Sequence, residues 1–242
     1  MNNKGQLICL WSAPLVGVLF LIGFSFFPGL APVVSPTWSA EQVAEYFQNN
    51  TATIRGSMIL CNVIGISVIP LFMVIVSQML QIVNSSRALA YSYMGAAIAG
   101  ATMFALADLG WLIAAYRPER NPELILLLND FAWMCFIVPV GFVIAQNACL
   151  AIAILLDKSK NPVFPTWVAY FNIIAAGLMV PGAFATLYKT GPLAWDGAFA
   201  FYLRLGTYGV YILVMFLVSL NIAKRSVSQD SAELEQGRFQ YE

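Results

Sequence analysis

The sequence predicts an all-α membrane protein: a polytopic bundle of six transmembrane helices, with a short interfacial amphipathic helix in the first outer loop. Three observations predict it. Only 10% of the 242 residues are charged and 60% are hydrophobic, against about 25% charged in soluble domains. The apolar residues gather in six runs of the length that a helix needs to cross hydrocarbon. A membrane β-barrel would show short alternating segments instead. The reading places a membrane domain over 1–223, with spans at about 7–27, 54–80, 88–116, 131–156, 163–187 and 198–223, and a polar cytoplasmic tail over 224–242.

The first span, LICLWSAPLVGVLFLIGFSFF, follows a short polar start carrying Lys4. No small-residue cleavage site follows its apolar core, so it reads as a retained helix. Pro28, Pro32 and Pro36 then keep the chain extended. Ser39 precedes Gln42 by three residues, the capping-box spacing, and Val43, Ala44 and Phe47 recur at helical spacing. These predict the amphipathic loop helix, packed on the bundle in preference to serving as a lid.

Span two opens with Arg55 and holds Asn62, Ser67 and Pro70. In span three, Gly95, Ala96, Ala99 and Gly100 offer a small-residue face for close helix packing. Asn121-Pro122-Glu123 is a helix start with a cap, a proline in the first turn and an acid. The helix it begins is too long for one straight span, and the reading puts a bend near Asn129. Span five holds Asn172 and Pro181, and span six holds Arg204. The tail reads as disordered or loosely helical.

With both termini inside, seven Lys and Arg (Lys4, Arg87, Lys158, Lys160, Lys224, Arg225, Arg238) lie on the cytoplasmic side, against four (Arg55, Arg117, Arg120, Lys189) outside. The positive-inside rule favours that orientation, and Trp38, Trp111, Trp133 and Trp195 would form an outer aromatic belt. Val68–Gln78 in span two resembles Ile137–Asn147 in span four, each with a proline, the pattern of a plain kink or of paired broken helices.

Histidine is absent, which excludes His-ligated haem, Ser-His and Cys-His catalysis and most zinc hydrolases. The four cysteines have no C-x-x-C spacing and read as core residues, so no cofactor or metal is expected. Lys+Arg and Asp+Glu both number 12, so bulk charge points to no nucleic acid.

Chemistry concentrates on Asp108. An ionisable side chain inside a span normally faces a partner, a cavity or water. Asp108 lies about 12 Å and Arg204 about 9 Å inside the outer ends of their helices. An Asp108–Arg204 pair is therefore the first expectation, either locking two helices or facing an outer pocket with Arg55, Trp133, Asp130 and Asn62. Asp108 and Asp130 together resemble no aspartyl-protease motif. Asn62, Gln146, Asn147 and Asn172 are the other polar groups at depth, explained by interhelical hydrogen bonds.

The stretches WSAEQVAEYFQNNTATIRGSM, YRPERNPELILLLNDFAW, NPVFPTWVAYFN and YKTGPLAWDGAF resemble a group of bacterial six-helix integral membrane proteins without an assigned activity. The resemblance covers about 36–223 and implies a bacterial inner membrane and nothing catalytic. The leading expectation is a non-enzymatic protein: an accessory subunit of a membrane complex, or a binder of a lipid-like or other apolar small molecule in an outer-leaflet pocket. The alternative is a small secondary transporter using the Asp108 carboxylate; a lipid- or isoprenoid-modifying enzyme ranks third. Membrane lipids are the expected surroundings, with a protein complex or homo-oligomer as possible partner.

Overall fold

The computed structural model describes residues 3–27, 29, 33–83 and 85–239, with side chains over 5–225 of these. Among the described residues, six helical stretches are long and apolar enough to cross a membrane: Gly5–Phe26, Thr51–Met79, Arg87–Tyr116, Pro122–Leu156, Trp167–Thr186 and Ala198–Arg225. The chain is a multi-pass α-helical membrane protein.

Span one is helix α1 (Asn3–Phe26), which turns Ile8, Trp11, Leu15, Val18 and Leu21 outward, as a lipid-facing helix does. The loop helix α2 (Ala40–Asn49) has the expected capping box: Gln42 N–H donates to Ser39 Oγ and Ser39 N–H to Gln42 Oε1 at 2.8 Å. Its Val43, Ala44 and Phe47 are buried against the bundle. The expected extended run at Pro28 and Pro32 lies outside the described residues.

Span two is α3 (Thr51–Gly65) and α4 (Ile69–Met79), joined by the 3₁₀ turn Ile66–Val68 just before Pro70. Span three is the uninterrupted α5 (Arg87–Tyr116). Span four is α6 (Pro122–Ile137) and α7 (Gly141–Leu156). Asn121 caps α6 as expected, accepting from Glu123 N–H at 2.9 Å. The bend does not come at Asn129, which stays helical and buried; the helix breaks at Val138–Val140, around Pro139, whose missing N–H interrupts the ladder.

Span five is α8 (Trp167–Met179) continued by the 3₁₀ segment Val180–Thr186, with Pro181 as its second residue. Between spans four and five, Asp157 accepts from the N–H groups of Ser159 and Val163. Partial burial alone would raise its pKa; these bonds and the Ser159 hydroxyl outweigh it and hold the carboxyl below its ordinary value. Span six begins with a π-helical turn, Ala198–Leu203, and runs on as α9 (Arg204–Phe239). The tail is thus a continuation of helix as far as Phe239, which the polar composition did not show.

The spans form a ring in sequence order. α1 packs on α3 and α4, α3 and α4 on α5, α5 on α6 and α7, α7 on α8, α8 on α9, and α9 back on α1. Short connections favour such neighbours. Spans three and six therefore lie on opposite sides of the ring.

On α5 the inward stripe is Ala90, Tyr93, Ala97, Ala107, Asp108, Gly110, Trp111, Ala114 and Ala115. The expected small-residue face is corrected by this: Gly95 and Ala99 are exposed, and only Gly100 packs closely, under the Phe142 ring. A second close approach lies at Gly110, further along α5. A methyl group added to Gly110 would stand 2.9 Å from Ala132 Cβ and 3.1 Å from the Phe131 ring. We expect Gly110→Val to destabilise the protein by about 1–3 kcal/mol through overpacking, read as a lower Tm in detergent. An unchanged Tm would mean that α5 and α6 do not touch there.

Candidate functional site

The bundle interior holds two polar layers on two hydrophobic clusters. At the end bearing the tail, Tyr93 and Tyr211 join spans three and six across the ring, hydroxyl to hydroxyl, at 3.1 Å. Gln146 Nε2 donates to the Tyr211 hydroxyl at 3.4 Å, and Gln78 Nε2 donates to the Ser219 carbonyl at 3.0 Å. Asn172 Nδ2 donates to the Val168 carbonyl at 2.8 Å. Gln146 thus makes the interhelical bond expected of it; the Asn172 bond to Val168 stays within α8, with Met215 Sδ of α9 as its longer contact at 3.7 Å, and Asn147 is fully buried with neither amide atom partnered. Tyr93, Tyr211, Gln78 and Ser219 were passed over because they sit in apolar runs. Their signal was a position on the inward stripe.

At the end bearing α2, the side chains around Asp108 are aromatic. Asp108 is 0% exposed, and neither carboxylate oxygen has a hydrogen-bond partner. Cys61 and Asn62 of α3 are its polar and sulfur neighbours, with Asn62 just short of hydrogen-bond geometry. Phe104 and Trp111 lie one helical turn to either side of it on the same face. Both rings pack on Phe136 of α6, with centroids 6.0 and 5.9 Å away.

Arg204 reaches the same ring from the other side of the bundle. Its guanidinium carbon stands 5.7 Å from the Phe136 centroid, and its Nε is buried without a partner. The expected Asp108–Arg204 pair is not formed. Spans three and six are not neighbours in the ring, and Phe136 packs on the two rings that flank Asp108 and on the Arg204 guanidinium.

The backbone around Arg204 is irregular on three spans at once. A methyl group on Gly182, in the 3₁₀ segment of span five, would meet the Ile137 carbonyl oxygen at 2.9 Å, Arg204 Cδ at 3.0 Å and Val140 Cγ1 at 3.3 Å. Ile137 and Val140 flank the break in span four, and Arg204 directly follows the π turn of span six. The interruptions of spans four, five and six therefore converge on one arginine.

The remaining expected site residues divide. Trp133 belongs to the cluster: fully buried, 5.0 Å from Trp111 and stacked on Trp195 at 6.3 Å. Asn62 lies beside Asp108 but faces outward. Arg55 does not contribute. Its guanidinium donates to the carbonyls of Ala115 and Tyr116 at 2.8–3.0 Å, capping the C-terminus of α5 where the helix dipole favours a cation. Asp130 is half-buried nearer the loops, with Asn129 and Lys189 as its polar neighbours.

The outer tryptophan belt is also corrected. Trp111, Trp133 and Trp195 turn inward, and Trp195 Nε1 donates to the Val34 carbonyl at 2.8 Å. The indole N–H groups of Trp111 and Trp133 and the Asn129 Nδ2 are buried without partners. One side of the cluster is thus rich in unspent donors, and Asp108 supplies the charged acceptor.

Separated charges predict independence. Asp108→Asn and Arg204→Leu should change thermal stability additively, to within about 0.5 kcal/mol; a larger coupling in the double variant would reveal direct pairing. No family model, curated protein or solved structure matches this chain.

Proposed function

We propose that the protein is a small secondary transporter of a polar solute, with Asp108 and Arg204 as the charges of its binding site. The observation that carries this is the meeting of three interrupted spans at Arg204, opposite an unpartnered buried carboxylate. Interrupted helices are tolerated in hydrocarbon where neighbouring protein or a cavity satisfies the freed backbone groups, and in transporters such segments hold the substrate. Of the two expectations from sequence, this favours transport over an accessory or lipid-binding role. The charge count and the bacterial resemblance support an inner-membrane setting with both termini in the cytoplasm.

A specific observation supports the second reading, a binder of a lipid-like molecule. An open, almost wholly apolar groove of about 330 Å³ lies between spans five and six, lined by Phe171, Ile174, Leu178, Tyr202, Gly206 and Val210. It presents a surface suited to an acyl or isoprenoid chain and no charged group.

Cys61 separates the two. It is fully buried and borders Asp108. In sealed vesicles of a variant carrying Cys9→Ala, Cys135→Ala and Cys149→Ala, a transporter opens the site to water, so a membrane-impermeant cationic thiosulfonate should modify Cys61. Its rate should exceed that at a cysteine placed at the lipid-facing Leu109 in a variant lacking all native cysteines. Protection of Cys61 from both sides would remove the transport reading and leave the binder.

A further inference from the structure

We infer that the solute taken between Asp108 and Arg204 is a zwitterion carrying a primary ammonium and an anionic oxygen group, of the amino-acid class. The inference rests on the transport reading above for its direction of use, and on the side chains alone for its chemistry.

The unspent groups of this cluster are one charged acceptor and several donors, of which the Trp111 indole N–H lies on the same face of α5 as Asp108. Asp108 offers two carboxylate oxygens and no donor, both enclosed and unpartnered. Across Phe136, Arg204 offers a buried Nε–H, and Trp133, packed on the same Phe136 ring at 6.2 Å, offers an unspent indole N–H. An anion alone would leave Asp108 without a partner, and a cation alone would leave Arg204. Either remainder is costly, since an isolated charge in a dry interior is among the most expensive groups to bury. A molecule carrying both charges, with a hydrogen bond of about 2.8 Å at each end, satisfies both.

One phenylalanine links the two sides. Phe136 touches Phe24, Phe104, Trp111, Trp133 and the Arg204 guanidinium. It lies two residues before the break in span four at Val138–Val140. A shift of that break moves the ring, and the zwitterion takes its place. The surrounding aromatic walls suit an apolar side chain on the solute.

The same chemistry occurs in free amino acids and in the phosphoethanolamine headgroup of a lipid. Binding is measured on the purified full chain by scintillation proximity with an equimolar mixture of ¹⁴C-labelled protein amino acids. Glycerophosphoethanolamine, glycine methyl ester and N-acetylglycine are the competitors. Saturable binding that neither singly charged analogue displaces is expected, weakened about tenfold or more by Asp108→Asn and by Arg204→Gln, the size of one lost charged contact.

Displacement by unlabelled amino acids alone identifies a free solute. Displacement by glycerophosphoethanolamine, with phosphatidylethanolamine retained through purification, identifies the lipid source. Should Asp108→Asn fail to fold, Phe136→Leu keeps both charges and is expected to raise affinity several-fold by shrinking the side chain that the solute displaces. Absence of zwitterion binding in the unaltered protein overturns the inference, as does undiminished binding in Asp108→Asn or full displacement by N-acetylglycine. Cys61 modified by the aqueous reagent, together with no zwitterion binding, removes this inference and leaves the transport reading standing; zwitterion binding with Cys61 protected does the reverse.

Discussion

The structure depends on one constraint: in hydrocarbon, every backbone and charged group must be satisfied inside the protein. That forces the apolar faces outward to lipid and drives the polar remainder to the axis of the bundle. It also dictates where a helix can break. Pro139 and Pro181 interrupt their spans, and both interruptions lie where Gly182 permits close approach of span four to spans five and six. Arg204, at the end of the π turn, stands in the same place.

Because the spans close into a ring in chain order, spans three and six face each other across it. At the tail-bearing end they meet through the hydroxyls of Tyr93 and Tyr211. At the other end stand Asp108 and Arg204, unpaired, with Phe136 packed on the Arg204 guanidinium and on the Phe104 ring beside Asp108. One junction is fixed by a neutral hydrogen bond; the other carries two opposite charges and no bond between them. A bundle tied at one end and divided at the other can open at the divided end without losing its core. That difference, more than the presence of any single residue, is what supports the proposed transport function.

The spans, the capping box at Ser39, the cap at Asn121 and the position of Asp108 inside a span are all legible in the sequence, because each rests on local composition or spacing. The break in span four was misplaced because a polar pair at Asn129-Asp130 was read as the bend, whereas the lost N–H of Pro139 decides it. Arg55 was grouped with Asp108 by depth alone, but the free carbonyls at the end of α5 compete for a guanidinium and win. Trp111 and Trp133 read as belt residues by depth; their rotation about the helix axis turned them inward. Phe136 carried no signal, since one phenylalanine among many apolar residues acquires its place only when spans three and six are set opposite each other.

A transporter of this build needs the interrupted segments around Arg204 to be the moving part of an otherwise closed bundle. Hydrogen–deuterium exchange of the protein in lipid nanodiscs tests it directly, because exchange reports local opening of backbone hydrogen bonds. Backbone amides of the non-proline residues in 138–140, 180–186 and 198–203 are expected to exchange well ahead of α5 at the depth of Asp108. Equal protection of those segments and of α5 would contradict it and leave a static bundle with two buried, separated charges.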